Sequence, residues 1–371
     1  MNELSWAEAG GGDIKRRFPA ADPKNFHMTD QIVLQLEPLK SFVRDIFLRS
    51  GFTQDHAKAT ADVLVWAELR GHASHGVLRI PSYLSYVEVG IIDPAAAPEI
   101  ELEKGAVVRL NAHHTIGPAA LMRAADIAAE RARDTAVAWV LIKDHSHAGA
   151  VGYFAQRIAR QDMIAMVMTA SGPLMTYHGT RVPTLSTNPI SIGIPGGLLL
   201  DMATAAFPMG KIAAARATGQ PLPPGVVLDR DGKPTTDPHK AGAPLPMSGA
   251  KGSGLSLMIE CLTSLVLHNP LLATELTHPS GHPGFRQNGL VVAMDPAVVG
   301  PSTDYAADLA ATVDAIKAQP RADGFDEVLM PGERGDRLYQ QRLHDGIPVS
   351  AKTWDQLRTL AGKLNIGIPG D

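Results

Sequence analysis

The chain has 371 residues, 45% of them hydrophobic and 19% charged, with a net charge of -4 and a single cysteine, Cys261. Such a chain has material for a large core and two or three domains. The absence of a basic tract argues against a nucleic-acid partner, a lone cysteine rules out an internal disulfide and fits a reducing cytoplasm, and no apolar run is long enough to cross a membrane.

Residues 1–28 are polar, punctuated by Gly and Pro, and lack the apolar core of a secretory signal; they read as a loosely ordered tail. Leu39, Phe42, Val43, Ile46 and Phe47 recur at helical spacing up to Gly51. A second helix carries Ala57, Ala61, Leu64 and Ala67 and ends at Gly71. Ala106 to Leu110 reads as a strand, and Leu121, Ala124, Ala125, Ala128 and Ala132 as an Ala-rich helix. Strand Ala136 to Ile142, a helix through Val151, Phe154, Ala155 and Ile158, and strand Met163 to Thr169 follow as a βαβ-like unit, which implies a layered α/β protein. Gly172 to Gly197 and Gly219 to Gly249 read as loops. Leu255, Met258, Ile259, Leu262 and Val266 mark a helix entered through Lys251-Gly252-Ser253-Gly254. A strand from Leu290 to Met294 and two final helices, through Leu309, Val313 and Ile316 and through Trp354, Leu357, Ala361 and Leu364, complete the chain.

The segment Gly71 to Tyr83 is the densest in chemistry. Pro81 is tolerated only in a first helical turn, so a helix starts near Leu78, with Ser74, His75 and Gly76 in the preceding loop. Arg79 and Tyr83 then share a face. His75 sits at the helix mouth, where free N–H groups favour an anion, and the Arg79 fork suits a carboxylate. A histidine exchanges protons near neutral pH. These are the parts for oxidising or reducing the carbon beside a carboxylate; an ordinary polar surface loop is the plain alternative.

The histidine pairs His72/His75, His113/His114 and His145/His147 leave a metal-dependent hydrolase open, although none has the His-Glu-x-x-His spacing and no cysteine pair accompanies them. Neither the Gly-x-Gly-x-x-Gly fingerprint nor a P-loop is present. Lys251 with Gly252 before an apolar helix is a weaker phosphate signal, with a flexible loop the competing reading. Cys261 reads as a small core residue.

Several ordered segments together resemble the type 2 malate/L-lactate dehydrogenase family, the sulfolactate dehydrogenase-like NAD(P)-dependent oxidoreductases. They are Ser74-His75-Gly76 with Arg79 and Tyr83, Asp144 to Gly149 with Gly152-Tyr153, Thr187-Asn188-Pro189, Asp201-Met202-Ala203-Thr204 with Gly210-Lys211, Lys251-Gly252, and Pro331-Gly332-Glu333-Arg334. The likeness spans about Leu36 to Ile366. It implies a non-Rossmann, layered α/β fold with a helical N-terminal region. The expected division is a helical, substrate-binding region over 29–140, a cofactor-binding region over 141–285, and a C-terminal region over 286–371 packing back on the N-terminal part.

The resemblance further implies a homodimer that uses NAD or NADP to move a hydride between nicotinamide and the carbon next to a small acid's carboxylate. The substrates would be 2-oxo or 2-hydroxy acids of the malate, lactate or sulfolactate type, with cyclic imino acids such as Δ1-piperideine-2-carboxylate, or ureidoglycolate, as alternatives. By the same resemblance His75 or His147 is the acid/base, Arg79 clamps the carboxylate, and Ser74 and Tyr83 orient it. Ser171, Asp201, Met202, Ala203, Lys251, Gly252, Gly332 and Glu333 would line the cofactor site. Ala148 departs from the family's usual Phe, which enlarges the expected pocket, and Ala205 replaces a common Ser.

Overall fold

The computed structural model describes residues 31–279 and 285–369; the tail expected over 1–28 lies outside them. A short strand β1 (Gln31–Leu34) leads into α1 (Leu36–Arg49), which buries Leu39, Phe42, Val43, Ile46 and Phe47. Helix α2 (Gln54–Leu69) is capped by the Thr53 side chain, which accepts the His56 N–H, and is buried on almost every side. It has to be, because it lies between α1 and the helices that cover the main sheet. Two 3-10 turns, Ala73–His75 and Val77–Arg79, then deliver the chain to α3 (Ile80–Glu88) with Pro81 in its first turn. A ring there removes an N–H that has no helical acceptor.

The centre is built from β2 (Glu99–Lys104), β3 (Val107–Asn111), α4 (Gly117–Thr135), β4 (Val137–His145), α5 (Val151–Ala159) and β5 (Ile164–Ser171). Next come β6 (Met175–Thr176), β7 (Pro183–Leu185), β8 (Ile190–Gly193), β9 (Leu199–Met202), α6 (Met209–Thr218), β10 (Val227–Asp229), β11 (Ala241–Pro244) and α7 (Ala250–Glu260). Helix α8 (Leu271–Thr277), β12 (Gln287–Met294), α9 (Ser302–Lys317), α10 (Glu333–Asp345), β13 (Ile347–Ser350) and α11 (Ala351–Leu364) finish the chain.

Seven strands form one mixed sheet in the order β2-β3-β4-β12-β5-β8-β9. Only β3 and β4, joined by α4, pair in parallel; the other neighbours are antiparallel. The expected βαβ unit is present in split form, since β12 inserts between the parallel strands β4 and β5. Val140, Ile142, Val167, Val291 and Ala293 point to one face and pack with Leu121, Ala125, Phe154 and Ile158 of α4 and α5. Burying each of the larger side chains contributes about 1.5–3 kcal/mol. Leu141, Met168 and Leu290 alternate to the other face, against Ile259 and Leu267. The C-terminal part returns to the N-terminal helices: β13 pairs with β1, α10 packs on α2, and α11 contacts α1 and α3.

Three local expectations are corrected. The stretch from Gly172 to Gly197 holds β6, β7 and β8, and Gly219 to Gly249 holds β10 and β11. Strands of two to four residues bounded by Pro and Gly are too short for an alternation to show. Lys251 to Gly254 lie inside α7, which begins at Ala250, and the helix widens into a π-helical turn at Cys261–Leu265. The apolar stripe of that helix is largely uncovered: Met258, Leu262, Leu265 and Val266 are exposed, and Cys261 is half-buried rather than core.

Candidate active site

Two histidines 72 positions apart in the chain meet face to face. The rings of His75, from the first 3-10 turn, and His147, from the loop after β4, stack with centroids 5.6 Å apart and planes 26° from parallel. Both line one cavity of about 290 Å³, together with Arg79, Tyr86, Ala148, Thr169, Ser171, Ser186, Thr187, Ala203, Phe285 and Gln287.

Each wall has an identifiable support. Glu68, buried near the end of α2, accepts the Val77 N–H at 2.9 Å and holds the turn between His75 and Arg79. Gly76 is required there, because a Cβ would lie 2.0 Å from Glu68 Oε1. The loop carrying His147 is fixed by three contacts, two with the start of α4 and one with β12. Gly117 at the start of α4 lies directly against the His147 carbonyl, where a Cβ would come within 2.3 Å of the oxygen. Ser146 Oγ accepts the Gly117 N–H at 2.9 Å, and Gln287 Oε1 of β12 accepts the Ala148 N–H at 3.0 Å. Arg79 Nε donates to the Ser74 carbonyl at 2.7 Å, which aims the guanidinium.

The ring nitrogens are also fixed. Gly149 N–H donates to His147 Nδ1 at 3.2 Å, and the Tyr83 hydroxyl lies 2.8 Å from the same nitrogen. With Nδ1 accepting, the ring proton of neutral His147 resides on Nε2. His75 Nδ1 pairs with Ser74 Oγ at 3.0 Å. Burial, then the Arg79 charge, then the neighbouring imidazole push His147 well below the usual histidine range. Burial first and Arg79 second push His75 down to about 3. Both rings are therefore neutral at neutral pH. Burial raises the Tyr83 hydroxyl above its ordinary value, so it stays protonated.

A second cavity of about 280 Å³ is lined by Arg70, His72, Asp201, Lys211, Gly332, Arg334 and Gly335 among others. It lies at the start of α10, whose N-cap is Gly332. Asp201 is half-buried; it accepts the Gly152 N–H, and desolvation raises its carboxyl to about 6 against the opposing pull of Arg70. Arg70, itself buried over the Trp66 ring, donates to Asp336 and to the Gly332 carbonyl.

The expected residues separate into groups. His75, His147, Arg79, Ser171 and Ala203 line the first cavity; Asp201 and Gly332 line the second. Ser74 and Tyr83 stand behind the histidines rather than in the cavity wall. Glu333 pairs with Lys317 and Arg337 on the outer side of α10. Lys251 is exposed on the first turn of α7 and lines neither cavity, while Gly252 packs against Met247. Met202 ends β9 half-buried, beside neither histidine.

Glu68, Gln287, Ser186, Tyr86 and Phe285 were not singled out by sequence. Only strand pairing reveals Gln287, opposite His145 on one side and Ser171 on the other. Of the remaining histidines, His145 donates from Nδ1 to the Ser146 carbonyl at 2.7 Å and His113 pairs with Glu99 at the surface. Among the described residues no three His, Cys, Asp or Glu side chains gather as a metal-holding group.

Comparison with known proteins identifies the family. Residues 34–358 match the family model described as malate/L-lactate dehydrogenase. A malate/(S)-sulfolactate dehydrogenase of Methanothermus fervidus is 33% identical over 349 residues, covering 91% of this chain and 99% of that protein. An NAD(+) ureidoglycolate dehydrogenase of Escherichia coli O157:H7 is 31% identical, covering 84% of this chain and 91% of the relative. The solved sulfolactate dehydrogenase of Methanocaldococcus jannaschii superimposes with a TM-score of 0.80 at 31% identity, over 91% of this chain and 98% of that one. The chain belongs to the malate/L-lactate dehydrogenase family.

Proposed function

We propose that the protein is an NAD(P)-dependent oxidoreductase that interconverts a small 2-oxo acid and its 2-hydroxy acid. The observation that carries this reading is the convergence of His75, His147 and Arg79 on one cavity that is also lined by the hydrogen-bonded pair Ser171 and Ser186. Hydroxyls suit a nicotinamide amide. In the second cavity, Lys211, Arg334 and the start of α10 suit the cofactor's phosphates, since a helix N-terminus and cations both attract anions. The nicotinamide supplies or accepts the hydride.

Arg79 holds the substrate carboxylate and so orients the reacting carbon. His147 faces the reacting oxygen with Nε2, since Nδ1 is engaged by Gly149 and Tyr83. Doubly protonated, it gives the Nε2 proton to the oxygen in reduction and keeps the Nδ1 proton, and oxidation returns a proton to Nε2 of that tautomer. Burial is the larger cause of the depressed His147 proton affinity and remains, but a bound carboxylate cancels the second cause, the Arg79 charge, and so raises that affinity. Once Nδ1 is protonated, the Tyr83 oxygen turns from donor to acceptor and stabilises the imidazolium. His75, oriented by Ser74, stacks on His147 and completes the wall.

The exposed Met258, Leu262, Leu265 and Val266 form an apolar patch that a second copy of the chain would cover, which supports a homodimer. No described helix is long and apolar enough to cross a membrane. The test is oxidation of NADH and NADPH with 2-oxo acids, Δ1-piperideine-2-carboxylate included, with and without chelator. Turnover of a 2-oxo acid that survives chelation and is lost in His147→Ala supports the reading; turnover that needs metal and leaves the cofactor unchanged overturns it.

A further inference from the structure

The cavity wall carries information about the part of the substrate that does not react. Tyr86 of α3 and Phe285 before β12 pack with ring centroids 4.4 Å apart and line the same cavity as the histidines. They stand at the histidine end: the rings of His147 and Tyr86 lie 5.9 and 6.4 Å from that of Tyr83. Ala148, next to His147, leaves open the volume that a larger side chain would fill, and Leu174, Pro189 and Met209 add apolar surface. Among the described residues lining this cavity, Arg79 is the sole lysine or arginine, and both histidines are held neutral by burial.

We infer that the protein selects 2-oxo and 2-hydroxy acids that carry one carboxylate and a bulky apolar side chain, with the Tyr86–Phe285 wall as the specificity determinant. Arg79 matches one anion. A second carboxylate or a sulfonate would be desolvated against aromatic and aliphatic carbon with no second lysine or arginine among the described lining residues to meet it, which is strongly unfavourable. An apolar side chain gains there by the same burial. This inference rests on the oxidoreductase reading above and specifies the substrate class of that site.

The test is kcat/KM, with whichever of NADH or NADPH is oxidised, for pyruvate, the leucine-derived 2-oxo acid, phenylpyruvate, oxaloacetate and sulfopyruvate. The expected order places phenylpyruvate or the leucine-derived acid roughly tenfold or more above oxaloacetate and sulfopyruvate. Phe285→Ala should lower kcat/KM for phenylpyruvate about tenfold while that for pyruvate stays within about threefold. Oxaloacetate or sulfopyruvate equalling the apolar acids overturns the inference and leaves the oxidoreductase reading standing. An equal loss for pyruvate and phenylpyruvate in Phe285→Ala removes that wall as determinant. Failure of every acid to oxidise either cofactor overturns the oxidoreductase reading itself, and the inference with it.

Discussion

Replacing Tyr83 by Phe removes one oxygen atom from a fully buried ring and changes little else. The ring remains packed between Phe47 and Tyr86, with centroids 6.5 and 6.4 Å away, so the core keeps its volume. What disappears is the 2.8 Å contact to His147 Nδ1. In the resting enzyme this is a hydrogen bond to a neutral ring, and its loss costs about 1 kcal/mol of stability. In the transition state of reduction the same oxygen faces a charged imidazolium, where a hydrogen bond contributes about 1.5–3 kcal/mol. The difference between the two, about 1 kcal/mol, sets the expected loss in kcat at roughly fivefold, with KM for the acid changed little because Arg79 is untouched. The imidazolium is also harder to form, so the pH at which reduction fades moves down by about one unit. Steady-state kinetics across pH, with thermal unfolding as the control for folding, reads all three quantities. A Tyr83→Phe enzyme with wild-type kcat and an unmoved pH profile would refute the view that Tyr83 acts through His147.

Arg79→Gln deletes the carboxylate's partner; two charge-assisted bonds at about 1.5 kcal/mol each imply a KM roughly 100-fold higher. The variant also lifts a charge that depresses both histidines, so the pH dependence of free-enzyme kcat/KM should move upward. A downward shift or an unchanged KM contradicts the assignment. Glu68→Gln should stabilise the protein above pH 7. Burial raises the Glu68 carboxyl to about 7 from 4.5, so the folded protein holds a proton that the unfolded chain releases. Stability from this group is therefore full below pH 4.5 and lost as pH rises through about 7, whereas Gln keeps an oxygen for the Val77 N–H. Equal or lower melting temperatures for the variant at pH 8 would count against it. Leu262→Glu, in the exposed stripe, should convert the proposed dimer into a monomer by light scattering; a variant as dimeric as the wild type places the interface elsewhere, and a monomeric wild type removes the proposed dimer.

The helices were legible wherever an apolar stripe faces the protomer's own core, as in α1, α4, α5 and α11. Helix α7 shows the limit of that signal: its stripe identifies the helix but not its exposed face, since the same residues serve a core or an interface. Helix α10 has no buried residue at all, and β1 and β13 exist by pairing with each other across most of the chain, so neither leaves a local pattern. At the site, histidine and arginine announce themselves by chemistry. Gln287, Phe285 and Glu68 do not, because their roles arise from a register between β12 and β4, a ring contact and a backbone N–H. Lys251 illustrates the reverse: a charge beside glycines reads as a phosphate contact, yet in the protomer it sits exposed on α7, away from both cavities.

The central claim, that the cavity passes a hydride between nicotinamide and the carbon beside a carboxylate held by Arg79, is tested most directly by isotope transfer. Reduced cofactor deuterated at nicotinamide C4 is incubated with the enzyme and a 2-oxo acid, and the product is read by mass spectrometry and NMR. The account predicts deuterium at C2 of the resulting hydroxy acid when the appropriate face of the cofactor is labelled, and no such product from His147→Ala at comparable times. A hydroxy acid that carries solvent hydrogen at C2 with either face labelled would contradict it.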